Sequence, residues 1–173
     1  MGREIRRVPE GWQHPVNDRG HFIALYDREY DAVAEQWVAD CAAWSRGEHE
    51  EQKKYHDTPK FFWDWQAPPD AKCYRPKYDG PATHFQVYET VSEGTPCSPV
   101  FASLEAMIEW MVMPIDRASP YNRGQDWQCM QGMTREQAER FCKEGSCCSL
   151  MGGPGIGIVA GHRYEPNAKA EGR

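Results

Sequence analysis

The chain has 173 residues, 40% hydrophobic and 27% charged, and a formal net charge of −6. That length suits one domain with a real core, and that composition belongs to a globular protein rather than a disordered or collagenous one. The acidic balance argues against a surface built to neutralise nucleic-acid phosphates, which needs clustered lysine and arginine.

No apolar run reaches the length of a membrane span, and the first residues lack a signal peptide's hydrophobic region. A cytoplasmic protein without a membrane partner is therefore expected. The seven cysteines (41, 73, 97, 129, 142, 147 and 148) follow no familiar disulfide framework. In a reducing compartment most of them are expected as free, buried thiols. Seven tryptophans, eight tyrosines and six phenylalanines supply large apolar area, of a kind used in both cores and interfaces.

In chain order, residues 1–26 read as irregular or extended, because Pro9, Gly11, Pro15, Asn17 and Gly20 break any helix. In "DREYDAVAEQWVADCAAWSRG" the residues Tyr30, Val33, Ala34, Trp37, Val38, Cys41 and Trp44 recur at three- and four-residue intervals. The spacing predicts a helix with one apolar stripe, Asp27 as its N-cap and Gly47 as its stop. From Asp27 to Asp57 there are nine acidic and four basic residues. Such a run ordinarily marks a solvated face, and it would also steer a basic protein surface towards the chain.

Residues 48–82 open on the charged run "EHEEQKKYHD" and continue as "FFWDWQAPPDAKCYRPKYDGP". The prolines forbid a long helix, so this stretch is expected as an ordered loop packed over the core or as a presented binding surface. "THFQVYETV" alternates as a strand over 83–91, with Phe85, Val87 and Val91 on one face. A turn-rich connector and a short extended piece at Val100 and Phe101 follow. Ser103 then caps a helix over 103–112, with Leu104, Met107, Ile108 and Met111 inward. Thr134 and Gln137 form a capping box, Met133 staples onto Ala138, and Gly145 ends that helix. Residues 150–160 read as one or two strands around a "GGPG" turn, and 165–173 as a polar, flexible tail. The sum is an α+β fold in a single domain, 1–173, with about three helices packed on a short antiparallel sheet and long ordered loops.

Several chemistries fail on spacing. Gly155, Gly157 and Ala160 fit G-x-G-x-x-A, but only thirteen residues follow, and Gly161, Pro166 and Gly172 interrupt them. The pattern needs a helix there and an acid some twenty residues on, so a glycine-rich strand with close backbone approach is expected instead. Cys129, Cys142, Cys147 and Cys148, with His162 in reserve, are the candidate zinc ligands, though paired C-x2–4-C spacing is missing. His49 and His56 lie seven residues apart, roughly 10 Å along a helix, too far to share an ion. A nucleophile elbow and a phosphate loop are both absent from the sequence. Cys147 and Cys148 follow a helix C-terminus, where the dipole disfavours a thiolate.

Two stretches resemble a family of small phage and prophage proteins. "GREIRRVPEGWQHP" with "GHFIALYD" resembles the family's start, and "FQVYETVSEGTPCSPVFASLEAMIEWM" its middle. The resemblance covers about a third of the chain and carries no catalytic residue. It implies a phage-encoded protein acting in a bacterial cytoplasm.

The function expected is therefore non-enzymatic: an accessory factor that binds a host or phage protein, for instance one blocking a bacterial defence. Its expected anchors are Trp12, His14, Phe61, Phe62, Trp63 and Trp65, since aromatic side chains dominate binding hot spots. Glu29, Glu35 and Asp40 would form a charged rim. The alternatives are an enzyme assembled from distant residues such as His14, His84, Glu89 and Glu93, and a zinc-stabilised or virion-associated module.

Overall fold

Secondary structure runs in the order β1 (Arg3–Val8), β2 (Tyr26–Glu29), α1 (Tyr30–Ser45), α2 (Glu50–Lys54), α3 (Phe62–Trp65), β3 (Tyr74–Arg75), β4 (His84–Glu89), β5 (Thr95–Pro96), α4 (Leu104–Val112), α5 (Arg135–Glu144), β6 (Ser146–Cys147), β7 (Leu150–Gly153) and β8 (Gly157–Ala160). The structure is a computed structural model describing residues 2–90, 94–122, 125–148, 150–153 and 157–163. The class is α+β, and contacts gather the chain into two compact units. Residues 25–77 form one, and the segments on either side form the other.

The larger unit is built on an antiparallel sheet of order β5-β4-β1-β6. β1 and β4 pair over their full length, from Arg3 opposite Glu89 to Val8 opposite His84. Ile5 lies opposite Val87 and faces the core, where Met107, Ile108 and Met111 of α4 meet Phe141, Ala138 and Cys142 of α5. Within residues 1–26, expected as irregular or extended, β1 is extended chain placed at the centre of the sheet. The arginines of "GREIRRV" conceal the strand. Two of their guanidinium groups cover aromatic rings of β4, Arg6 at 4.5 Å over Tyr88 and Arg7 at 4.8 Å over Phe85. The long apolar stems let basic residues sit on such a strand with their charge at a ring face.

"TPCSPVF" runs along the outer side of β4. Cys97 donates to the Val87 carbonyl, and Phe85 and Phe101 exchange backbone hydrogen bonds. Pro96 and Pro99 have no N–H to offer, which suits an edge that should recruit no further strand. The two helices start as their spacing predicts. The Ser103 hydroxyl accepts from the Ala106 amide, and Thr134 and Gln137 complete a reciprocal capping box. Gly145 closes α5 in the left-handed region at φ 75°. Its carbonyl then receives the Ile5 amide, fastening α5 to the sheet.

β7 and β8 form the hairpin expected around residues 150–160; residues 154–156 of its turn and the tail after Arg163 lie outside the described residues. Arg163 locks the far end of this region. Its guanidinium donates to the carbonyls of Asp126, Cys129, Gln131 and Gly132.

In the smaller unit α1 lies against α3, and the short parallel pair β2–β3 is clamped by Arg75, which reaches Asp27 and Glu29. Asp27 is thus a strand residue in an ion pair, and the N-cap position belongs to Glu29, whose side chain makes no capping bond. Gly47 does end the helical turn, at φ 71°. Along the apolar stripe expected on α1, Val33 and Trp44 are buried and Tyr30, Ala34, Trp37 and Cys41 are half-buried; Val38 alone departs from it, at 62% exposure.

Candidate functional site

Of residues 48–82, expected as an ordered loop over the core or a presented surface, residues 48–77 fold with α1 into a unit with its own ring-lined core. Trp44 is 2% exposed, with ring-centre distances of 5.3 Å to Phe62, 5.2 Å to His49 and 5.8 Å to Trp65. Its indole N–H donates to the Pro59 carbonyl at 3.0 Å, and that of Trp37 donates to Gln66. These bonds satisfy the polar edge of each ring and fix the course of the proline-rich chain.

The single helical turn of α3 then sorts its aromatics. Phe62 points inward at 2% exposure, while Phe61, Trp63 and Trp65 stand 41%, 52% and 41% exposed. Phe62 is therefore a core residue and is withdrawn as a binding anchor. Phe61 and Trp63 stack face to face, 4.5 Å between centres and 10° from parallel. Trp65 leans on Tyr55, another exposed ring, at 5.8 Å. Lys60 stands 5.2 Å over Phe61 and Lys54 stands 5.0 Å over Tyr55. The pairing of lysine with an adjacent ring, in "KKY" and "PKFFW", is a sequence signal that points to Tyr55, Lys54 and Lys60 as further members of this surface.

The expected acidic rim is partly used elsewhere. Glu29 is held by Arg75, and Asp40 accepts from Gln36 and lies 3.8 Å from His49. Glu35 is exposed on α1.

Trp12 and His14 belong to the larger unit; His14 is buried there, which withdraws it as a contact anchor, while Trp12 is half-buried. The Trp12 indole donates to the Tyr88 hydroxyl at 3.0 Å, and that hydroxyl donates to the Gln86 side-chain oxygen at 2.9 Å. His14 is buried, with Nε2 at 2.6 Å from the Ile23 carbonyl and Nδ1 at 3.2 Å from the Tyr88 hydroxyl. A carbonyl only accepts, so the proton sits on Nε2 in the neutral ring. Burial holds the His14 pKa below its ordinary value, and the Arg6 charge pushes it the same way, against the hydrogen bond to Ile23.

The described residues considered for catalysis are not shown to converge on one point. His84 and Glu89 occupy opposite ends of β4; Glu93 lies outside the described residues. Glu89 instead pairs with buried Arg3 at 3.0 Å, beside a cleft of about 160 Å³ that Phe22 and Tyr121 also line. Ordinary small-molecule sites run from about 300 Å³ upward.

Among the described residues no group of three or more His, Cys, Asp or Glu is placed to hold a metal ion. Cys129, Cys142, Cys147 and Cys148 thus do not assemble as the zinc site considered from their spacing. Burial raises the thiol pKa of Cys142 to about 11 and that of Cys97 to about 12, and raises that of Cys147 as well. These groups stay protonated at neutral pH, whereas ligands and nucleophiles need the thiolate.

No described helix is long and apolar enough to cross a membrane. Comparison with protein-family models, curated proteins and solved structures finds no match for this chain.

Proposed function

We propose that this protein acts by binding another protein through the exposed rings of residues 55–65. In this reading it is a phage-encoded accessory factor whose target is a host or phage protein, such as a component of a bacterial defence. The observation that carries the reading is the Phe61–Trp63 stack. Two large rings stay half in solvent although a ring-lined core lies within the same unit. Leaving that much apolar area in water costs free energy, and a partner would recover it; grouped exposed rings are a mark of contact surfaces.

Capture from infected cells tests this. Tagged wild-type protein should retain a defined partner, and Phe61→Ala and Trp63→Ala should release it while remaining folded by circular dichroism. A wild type without a partner, or variants that hold the same one equally well, would contradict the reading.

A further inference from the structure

The sheet of the larger unit carries charge where its packing asks for none. Across β1, β4 and β5 the residues Arg3, Glu89 and Thr95 stand in one row, Arg3 opposite Glu89 and Glu89 opposite Thr95. Residues directly opposite in an antiparallel pair share a face, as do residues two apart along a strand. The next row on that face is Ile5, Val87 and Cys97, all packed in the core. Arg3 is 3% exposed and Glu89 14%, and they pair at 3.0 Å. Taking an ion pair out of water has a cost that an apolar pair avoids, so packing alone gives no reason for one here.

The same three residues line the cleft of about 160 Å³, together with Phe22, Tyr121, Gln128 and the exposed His21, all of the larger unit. Two donors among them lack a partner. The Arg3 Nε is buried without an acceptor among the described residues, although Nη2 of the same guanidinium donates to the Gln128 carbonyl at 3.1 Å. The Tyr121 hydroxyl likewise bonds no described residue. The rings of Phe22 and Tyr121 stack on each other, 5.5 Å between centres and 15° from parallel.

These features set the size and chemistry of a ligand. A cavity of about 150 Å³ accepts a benzene-sized molecule, so this cleft takes one small flat ring. Arg3 and Glu89 cancel in charge, and an ion of either sign would meet repulsion as well as attraction. A neutral group with an acceptor and a donor side by side satisfies both: its C=O accepts a proton from a guanidinium or hydroxyl, and its N–H donates to a carboxylate. A cyclic amide holds these two groups on one edge of a flat ring. A zwitterion of that size also carries both, but its full charges would have to leave water, at greater cost.

We propose that the cleft is a binding site for a small, neutral cyclic amide, the chemistry of a free pyrimidine base, held at Arg3 and Glu89. This site is independent of the protein-binding role, which rests on the smaller unit.

The test is titration of the ¹⁵N-labelled full chain with uracil, acetate, guanidinium, alanine and benzene, followed by NMR. Uracil should shift the amides of Glu89, Thr95 and Gln128 in a saturable way, and the other four should shift them less. Glu89→Gln keeps the shape and removes the charge. It should weaken uracil about tenfold, the scale of a lost hydrogen bond to a charged group, and should admit acetate, since Arg3 is then unopposed. Phe22→Ala leaves both charges in place and should weaken uracil as well, which decides the matter if Glu89→Gln does not fold.

The proposal is overturned if uracil gives no saturable shift, or if any of the other four probes shifts the same amides as much. Unchanged uracil affinity in either folded variant, or a Glu89→Gln protein no more receptive to acetate, would overturn it too.

Discussion

A Cβ at Gly161 would run into the carbonyl oxygen of Cys148. That close approach explains a glycine at this point. Gly161→Ala should destabilise the protein by about 1–3 kcal/mol, the usual range for forcing atoms into a filled site, read by chemical denaturation. Two buried histidines work against stability in acid. The His162 pKa is lowered to about 3 by burial, with Arg163 and Arg3 adding to the effect, and that of His14 is lowered in the same direction. Both are neutral when folded, whereas in the unfolded chain they take up protons near pH 6.5. Stability is therefore undiminished above that pH and declines as pH falls towards 3. His162 contributes a slope of about 1.4 kcal/mol per pH unit while only its unfolded form is protonated, and His14 acts in the same direction. His162→Gln should flatten the profile measured by denaturation between pH 4 and 6.

At the scale of elements, legibility followed local chemistry. α5 was readable end to end because its start and stop are side-chain and glycine signals lying within the helix's own sequence, Thr134, Gln137 and Gly145. Thr134→Ala should cost about 1 kcal/mol, as cap removal does, again by denaturation. β4 was readable from its alternation. β1 was not, since its pattern becomes intelligible only when Tyr88 and Phe85 lie beside the arginines. Across α3 and its N-cap the four aromatics of "FFWDW" look equivalent in sequence, and a single turn of helix makes Phe62 core and Trp63 surface. Two substitutions should separate them. Phe62→Ala should cost about 3–5 kcal/mol, the range for a buried ring, while Trp63→Ala should stay within about 0.5 kcal/mol.

For the whole molecule, the division into two units was hidden because it arises from contacts between distant residues. The aromatic stretch, expected as a cover over a common core, closes on α1 instead, through Trp44 and Trp37. Such units open as cooperative blocks. In Phe62→Ala, hydrogen exchange should rise across residues 25–77, while the amides of β4 and α4 keep their protection. The surface that remains on the smaller unit after its core is filled is the ring stack, and the function proposed rests on it. The most direct test is calorimetric titration of the captured partner, once purified, into wild-type protein and Trp63→Ala. The wild type should bind at least tenfold more tightly, about 1.4 kcal/mol. Equal affinities for the two would place the contact elsewhere and contradict the proposed function.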